Sequence, residues 1–262
     1  MQLKNKKVLI TGGSRGIGRC MIDELVNAGV RDIAVIARDR KNLKELRSIF
    51  KNVNFLLVTG DVSDTGVLRE MASKVEDKWE HLDVLINNAG IVSAGPLEDL
   101  SDEEIYDQVA VNLTAVFFLT KYCIPLLKAS EEAAILNVSS GLGLIGRPFY
   151  SVYAGTKAGI RQFSDSMRRE LLPFEISVTC VYPTATDTDM MTTSKAKNMD
   201  TPEYVAERSI QALVNKELHV IFGGEQRLKD HKLNFEDPEK LDEQITDSYE
   251  AMKEASSSHR AL

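Results

Sequence analysis

Val8-Leu9-Ile10-Thr11-Gly12-Gly13-Ser14-Arg15-Gly16-Ile17-Gly18 is the stretch whose reading decides the fold. It opens with a short unbroken apolar run, as expected of a parallel strand covered on both faces. The run stops at Thr11-Gly12-Gly13. Ile17, Met21 and Leu25 then recur at four-residue spacing, which predicts a helix with those residues on its inner face and Gly29 just past its end. A strand that feeds a helix through a glycine-rich turn is half of a strand-helix-strand unit.

The remainder of the chain repeats that alternation. Apolar runs at 33–37, 55–58, 84–86, 133–140, 178–182 and 219–222 predict six more strands, and amphipathic or charged stretches between them predict helices. One helix is expected at about 41–50, and a second carries the stripe Val67, Met71, Val75 and Trp79. Others are expected over about 101–127, from about 151 with Ile160, Phe163, Met167 and Leu171 buried, and from about 202. Such alternation builds a doubly wound, Rossmann-type parallel sheet of about seven strands with helices on both faces, a three-layer α/β/α fold with right-handed crossovers. No Pro/Gly/Ser-rich linker divides the pattern, so residues 1–224 are read as one catalytic domain and 225–262 as a helical extension of open role.

Composition narrows the function classes. In 262 residues, 43% hydrophobic content is ample for a core, and a net charge of −7 argues against a broad footprint for nucleic acid or anionic membrane. Cys20, Cys123 and Cys180 are scattered without a CxxC and suit three small buried hydrophobes in a reducing cytoplasm. The four histidines lack metal-ligand spacing, so no metal site is expected. No apolar leader precedes the first strand, and the most apolar run, 113–119, is too short to span a bilayer. The expectation is a soluble cytoplasmic protein without membrane or nucleic-acid partners.

The glycines of the opening turn are spaced GxxxGxG. Glycine permits a tight turn and close approach of backbone to a pyrophosphate, whose charge is favoured by the N–H groups of the helix that starts there. The cofactor choice falls to the end of the second strand. A carboxylate there would bond the ribose hydroxyls of NAD and repel a 2′-phosphate, whereas arginine accommodates that phosphate. Here Ala37 carries no carboxylate and is followed by Arg38, while Arg15 lies in the turn. The two guanidiniums predict NADP(H) over NAD(H). Asp39 complicates the reading, since it has the charge to neutralise Arg38 or to take the ribose role itself.

Tyr153-Ala154-Gly155-Thr156-Lys157 places a phenol and an ammonium at i and i+4, on one face of a helix. The spacing alone also suits a solvated helix surface. An adjacent cation lowers a phenol from its ordinary value of roughly 10 by about one to three units, which makes the pair a general acid/base candidate. Thirteen residues upstream, Ser140 closes a strand.

Thr11-Gly12-(x)3-Gly16-Ile17-Gly18, Asn87-Asn88-Ala89-Gly90, Asn112, Ser140 and Tyr153-(x)3-Lys157, in this order and at these separations, resemble the short-chain dehydrogenase/reductase family in its compact form, over roughly residues 5–190. The resemblance implies that Asn112, Ser140, Tyr153 and Lys157 form a catalytic tetrad. It implies cofactor contacts from Gly12, Ser14, Arg15, Gly16, Ile17, Gly18, Arg38, Asp61, Val62, Asn88, Ala89, Gly90, Tyr153, Lys157, Pro183, Thr186 and Thr188. Asp61 would meet the adenine, Asn88-Ala89-Gly90 would line the adenosine side, Asn87 would steady the fourth strand, and Thr188 would bond near the nicotinamide. Asn112 would kink its helix and position a water relay to the lysine.

In that reading the chain is an NADP(H)-dependent carbonyl reductase or alcohol dehydrogenase with Tyr153 as general acid/base, and a homodimer or homotetramer through its long helices. The alternative is an NADP-binding regulator or scaffold with little turnover. Two departures stand out: Pro183-Thr184 where the family usually has Pro-Gly, and the polar ending after Gly224. Leu142, Leu144, Ile145, Phe149, Met190 and Met191 suggest an apolar pocket for a small carbonyl or alcohol substrate, or a lid that packs on the core. In the tail, Asp237-Pro238-Glu239 signals a helix start, and Leu241, Ile245, Tyr249 and Met252 fall on one face of that helix, which must dock or fray.

Overall fold

A computed structural model of the chain describes residues 1–194 and 198–261. Seven strands form one parallel sheet: β1 (Lys7–Thr11), β2 (Asp32–Ala37), β3 (Asn54–Thr59), β4 (Val84–Asn87), β6 (Ala134–Val138), β7 (Ser177–Tyr182) and β8 (His219–Ile221). Two short segments, β5 (Val92–Ser93) and β9 (Arg260–Ala261), pair antiparallel outside it. The order across the sheet is β3-β2-β1-β4-β6-β7-β8, so the winding reverses between β1 and β4. Ligands of open α/β sheets bind in the crevice at the carboxyl ends of the strands at such a reversal.

Alternate strand residues supply the two faces. Val8, Ile10, Ile33, Val35, Val84, Ile86, Leu136 and Val181 pack against α1 (Gly16–Asn27), α2 (Arg40–Ile49) and α7 (Pro202–Asn215), through Met21, Leu25, Leu43, Leu46, Ile210 and Leu213. Leu9, Ala34, Ile36, Leu85, Ile135 and Val178 point the other way. They meet α3 (Thr65–Trp79), α5 (Ala115–Lys128) and α6 (Ser151–Leu171), through Met71, Val75, Leu119, Cys123, Met167 and Leu171. The predicted α/β/α layering is what the sheet shows.

Local chemistry sets the boundaries. Asp39, Asp64 and Ser101 cap α2, α3 and α4 (Asp102–Val109), the last with a full capping box to Glu104, and Gly29 leaves α1 at φ +93°. The helix predicted over 101–127 is continuous from Asp102 to Lys128 but contains one π-helical turn, Ala110–Thr114, centred on Asn112. By length and composition it is apolar enough to cross a membrane, unlike the short run 113–119 singled out in the sequence. Its Leu119, Cys123 and Leu127 are buried against the sheet. Of the cysteines, Cys123 and Cys180 are buried as expected, whereas Cys20 is half-buried beside Glu203.

The tail forms three helices, α8 (Gly224–Glu236), α9 (Pro238–Thr246) and α10 (Tyr249–Ser256). Asp237 and Pro238 start α9 as predicted. The single stripe is broken, because the chain leaves the helix at Asp247-Ser248. Leu241 and Ile245 bury against Val116, Leu144, Ile145, Ile160 and Tyr182, and Met252 packs beside them. Tyr249 instead stacks its ring 5.1 Å from Phe149 and stays 42% exposed.

Candidate active site

The residues that follow β1, β2, β3, β4, β6 and β7 line one cleft of about 650 Å³. All the cofactor-contact positions expected from the sequence line it, as do Ser140, Tyr153 and Lys157. Asn112 does not.

At the β1 end, Gly12 and Gly16 hold φ of +67° and +53°, the left-handed region that favours glycine. A side chain on Gly18 would collide with the carbonyl oxygen of Gly12 and the amide of Asn88. Asn88 clamps the turn, its Nδ2 donating to the carbonyls of Thr11 (3.0 Å) and Gly12 (3.2 Å). The Thr11 hydroxyl in turn accepts from the backbone N–H groups of Asn88 and Ala89, both at 3.0 Å. Behind the cleft, Asn87 Nδ2 donates to Asn137 Oδ1 (2.8 Å), and Asn137 Nδ2 to Ser164 Oγ (2.9 Å), tying β4, β6 and α6 with buried, partnered polar groups.

Asp39 itself lines the cleft. Its carboxylate accepts from the N–H groups of Lys41 (2.7 Å) and Asn42 (3.0 Å) and so serves α2. Arg38 lies 3.8 Å from Asp61, and Arg15 lies 3.4 Å from Asp189. Both guanidiniums are about half exposed (49% and 55%), and exposed pairs of this kind are worth only about 0–1 kcal/mol.

At the centre, Ser140 follows β6 and caps a tight turn over Gly141–Gly143, its hydroxyl accepting from Leu142 N–H (3.1 Å). Tyr153 faces the same cleft, with the Ser140 hydroxyl as a polar neighbour that eases its ionisation. Lys157, only 4% exposed, donates from Nζ to the carbonyl of Val138 (3.0 Å), with Nζ 5.7 Å from the Tyr153 ring centre. Electrostatics here differ from the expectation. Burial pushes the phenol up to about 12, opposed by the Ser140 hydroxyl, and Lys157 does not hold it down. Lys157 is itself pushed down to about 8 by burial. Desolvation of both groups outweighs their mutual interaction because the ammonium is turned toward Val138 rather than toward the phenol oxygen.

Asn112 is 1% exposed, and its amide is fully engaged: Oδ1 accepts from Ile91 N–H (2.8 Å), and Nδ2 donates to Ile91 C=O (2.9 Å) and Thr156 Oγ1 (3.3 Å). It ties the segment after β4 to the N-terminal part of α6. Its helix is widened by a π-helical turn rather than kinked.

The substrate end departs further from the sequence reading. Leu142, Met190 and Met191 line the cleft. Leu144 and Ile145 face the tail helices, and Phe149 faces Tyr249. Thr184, in place of the family glycine, bonds Asp200 through its hydroxyl, and Thr188 Oγ1 donates to Thr186 C=O (3.3 Å), so the loop after β7 is internally braced. Sequence reasoning missed Tyr150, Arg227 and His259, all of which line the cleft. His259 Nδ1 lies 3.0 Å from the Tyr150 hydroxyl and Nε2 lies 3.0 Å from the Met190 carbonyl. Arg260 pairs with Glu104 at 2.5 Å, while β9 pairs with β5. Arg227 comes from α8 rather than directly from a strand end, and nothing in the sequence marked it. His259 carried no signal, being about a hundred residues from its partner Tyr150.

A family model described as short chain dehydrogenase matches residues 6–199. The chain belongs to the short-chain dehydrogenase family. Members are NAD(P)-dependent oxidoreductases with a nucleotide-binding Rossmann fold. Among its relatives is the 3-oxoacyl-(acyl-carrier-protein) reductase FabG of Escherichia coli, 31% identical over 72% of this chain and 77% of that one. Among solved structures, a short chain dehydrogenase of Burkholderia cenocepacia in complex with NADP superposes with a TM-score of 0.82 at 23% identity, covering 94% and 99% of the two chains. An alcohol dehydrogenase of Thermococcus sibiricus complexed with 5-hydroxy-NADP gives 0.75 at 25% identity, covering 83% and 95%.

Proposed function

We propose that this short-chain dehydrogenase is an NADP(H)-dependent carbonyl reductase, or alcohol dehydrogenase in reverse, with Ser140, Tyr153 and Lys157 as its catalytic residues. The observation that carries the reading is that Ser140, the Tyr153 phenol and Lys157 meet in the cleft that also holds the glycine turn. The residues fit a dinucleotide: Gly18 leaves room only for backbone, Gly12 and Gly16 hold left-handed φ, and Arg15 and Arg38 flank an Ala37 without charge. Gly12, Ser14, Gly16, Ile17 and Gly18 would hold the pyrophosphate, Asp61, Val62 and Asn88 to Gly90 the adenosine, and Pro183, Thr186 and Thr188 the nicotinamide end. Arg15 and Arg38 would take the 2′-phosphate.

The bound nicotinamide would supply or accept hydride. Ser140 donates a hydrogen bond to the substrate carbonyl oxygen, and Tyr153 gives that oxygen its proton. Lys157 holds a proton at Nζ beneath the tyrosine ring at neutral pH, where it would grip the ribose hydroxyls of the nicotinamide. Asn112 acts as a positioning residue through Ile91 and Thr156. The similarity to ketoacyl reductases supports reduction of a carbonyl. A homodimer or homotetramer through the faces of α4, α5 and α6 is supported by the exposure of Tyr106, Val109 and Phe117 there. We place the protein in the cytoplasm, with residues 1–224 as the catalytic unit and 225–262 as its extension. The test is NADPH oxidation across a panel of ketones and aldehydes, alongside light scattering for assembly size. NADPH binding without turnover of any carbonyl or alcohol would favour a regulator or scaffold.

A further inference from the structure

Arg227 stands in the first turn of α8 and lines the same cleft as Ser140 and Tyr153. Its guanidinium lies against Gly141, the residue after Ser140: a Cβ built on Gly141 would sit 3.4 Å from the guanidinium carbon and 3.6 Å from Nη1. Nη1 is closed off from solvent and has no hydrogen-bond acceptor among the described residues. A charged donor buried without an acceptor is costly, and each such group calls for an explanation.

A second guanidinium adds to the positive field. Burial, and after it the like charge of Arg227, holds Arg147 below its usual range, with Asp230 opposing. The Asp230 carboxylate already accepts from Gln226 Nε2 at 2.7 Å. Two guanidiniums that repel one another, one of them set against Gly141 with a donor left open, form a place for an anion. The abutment on Gly141 makes the distance from that anion to the reacting carbonyl short.

We propose that the substrate is a short 2- or 3-oxo acid, whose carboxylate Arg227 holds while Ser140 and Tyr153 hold the carbonyl oxygen one or two carbons away. This rests on the reductase reading above and names its substrate class. The planar guanidinium fork matches a carboxylate in two-point contact. A 3-oxoacyl thioester is neutral next to its carbonyl and leaves the arginine without a counter-charge. In the reaction the carbonyl carbon takes hydride from the reduced dinucleotide, which is oxidised, and the oxygen takes the Tyr153 proton. A 2- or 3-hydroxy acid forms with the carboxylate unchanged.

The experiment compares kcat/KM with NADPH for acetoacetate and for its neutral methyl ester, in the parent chain, Arg227→Ala and Arg227→Lys. The parent should prefer the acid by about tenfold or more, and Arg227→Ala should lower the acid-to-ester ratio by roughly ten- to 150-fold, chiefly through KM, as expected for loss of a charge-assisted bond. Arg227→Lys should restore part of the ratio. NADPH affinity, read by fluorescence titration, and melting temperature accompany each variant. If alanine lowers the melting temperature, Arg227→Gln replaces it.

A parent ratio near one, or equal loss on acid and ester in the alanine variant, overturns the proposal. So does loss of NADPH binding in Arg227→Ala, which would assign the arginine to the cofactor. Preference for dihydroxyacetone phosphate over acetoacetate would replace the carboxylate by a phosphate. Reduction of neutral ketones alone leaves the reductase standing and sinks only this substrate class. No reduction of any carbonyl sinks the reductase itself.

Discussion

The two ends of the cleft are built differently. The cofactor end is assembled from residues that directly follow β1, β2, β3 and β4, and its geometry comes from backbone: left-handed glycines, a clamp from Asn88, and a helix start. The substrate end is assembled from side chains that arrive from α8 and from the chain terminus, with Arg227 at Gly141 and His259 between Tyr150 and Met190. One end is local and tolerates little change of residue. The other is long-range, so its composition is free to vary while the sheet stays the same.

The widest contrast comes where the ends meet. Tyr153→Phe should lower kcat by roughly a hundred- to ten-thousand-fold while NADPH affinity holds, because only the proton donor is lost. Steady-state rates beside a fluorescence titration check it, and near-parental turnover would remove Tyr153 from the chemistry. On the substrate side, Leu241→Ala empties a position that is 2% exposed in the cluster joining the tail to the sheet. A cost of about 2–5 kcal/mol is expected, read as a lower denaturation midpoint. An unchanged midpoint would mean that the tail is not docked on this core. Truncation after Gly224 should act in the same direction and also lower activity, since it removes both Arg227 and His259 from the cleft.

At the cofactor end, Arg38→Ala should weaken NADPH by roughly ten- to 150-fold and NADH far less, and Ala37→Asp should move preference toward NADH. Equal losses for both dinucleotides would show that no 2′-phosphate is read there. A smaller effect concerns Lys157. Its folded value of about 8 lies below the ordinary 10.5, so the unfolded chain binds the proton more tightly between those values. Stability therefore rises as pH climbs from about 8 to 10.5, and the burial penalty is constant below 8. Lys157→Met should remove that slope in denaturation curves taken across the window. Tyr153 runs the other way, since a value raised to about 12 from 10 lowers stability only as pH climbs above 10. The smallest change is expected of His259→Ala, which takes one hydrogen bond from Tyr150, about 0.5–1.5 kcal/mol, and should raise KM more than it lowers kcat.

Periodicity and turn chemistry alone determined the sheet, its helices and the glycine turn, because each depends on residues within a few positions of one another: apolar runs bury on two faces, Asp39 or Ser101 caps the helix it begins, and Gly12 supplies its own φ. The end of the second strand pointed to Arg38, and the family resemblance to Asp61, Ser140 and Pro183. Tertiary structure decided what depends on surroundings. It engaged Asn112 with Ile91 and Thr156 and drew Leu144 and Ile145 to the tail. It also reversed the expected shift of Tyr153, because desolvation is a property of everything packed around a group, whereas sequence spacing reports only the neighbour four residues away. Arg227 and His259 joined the site for the same reason: a contact across a closed chain costs the sequence no local pattern and leaves none to read.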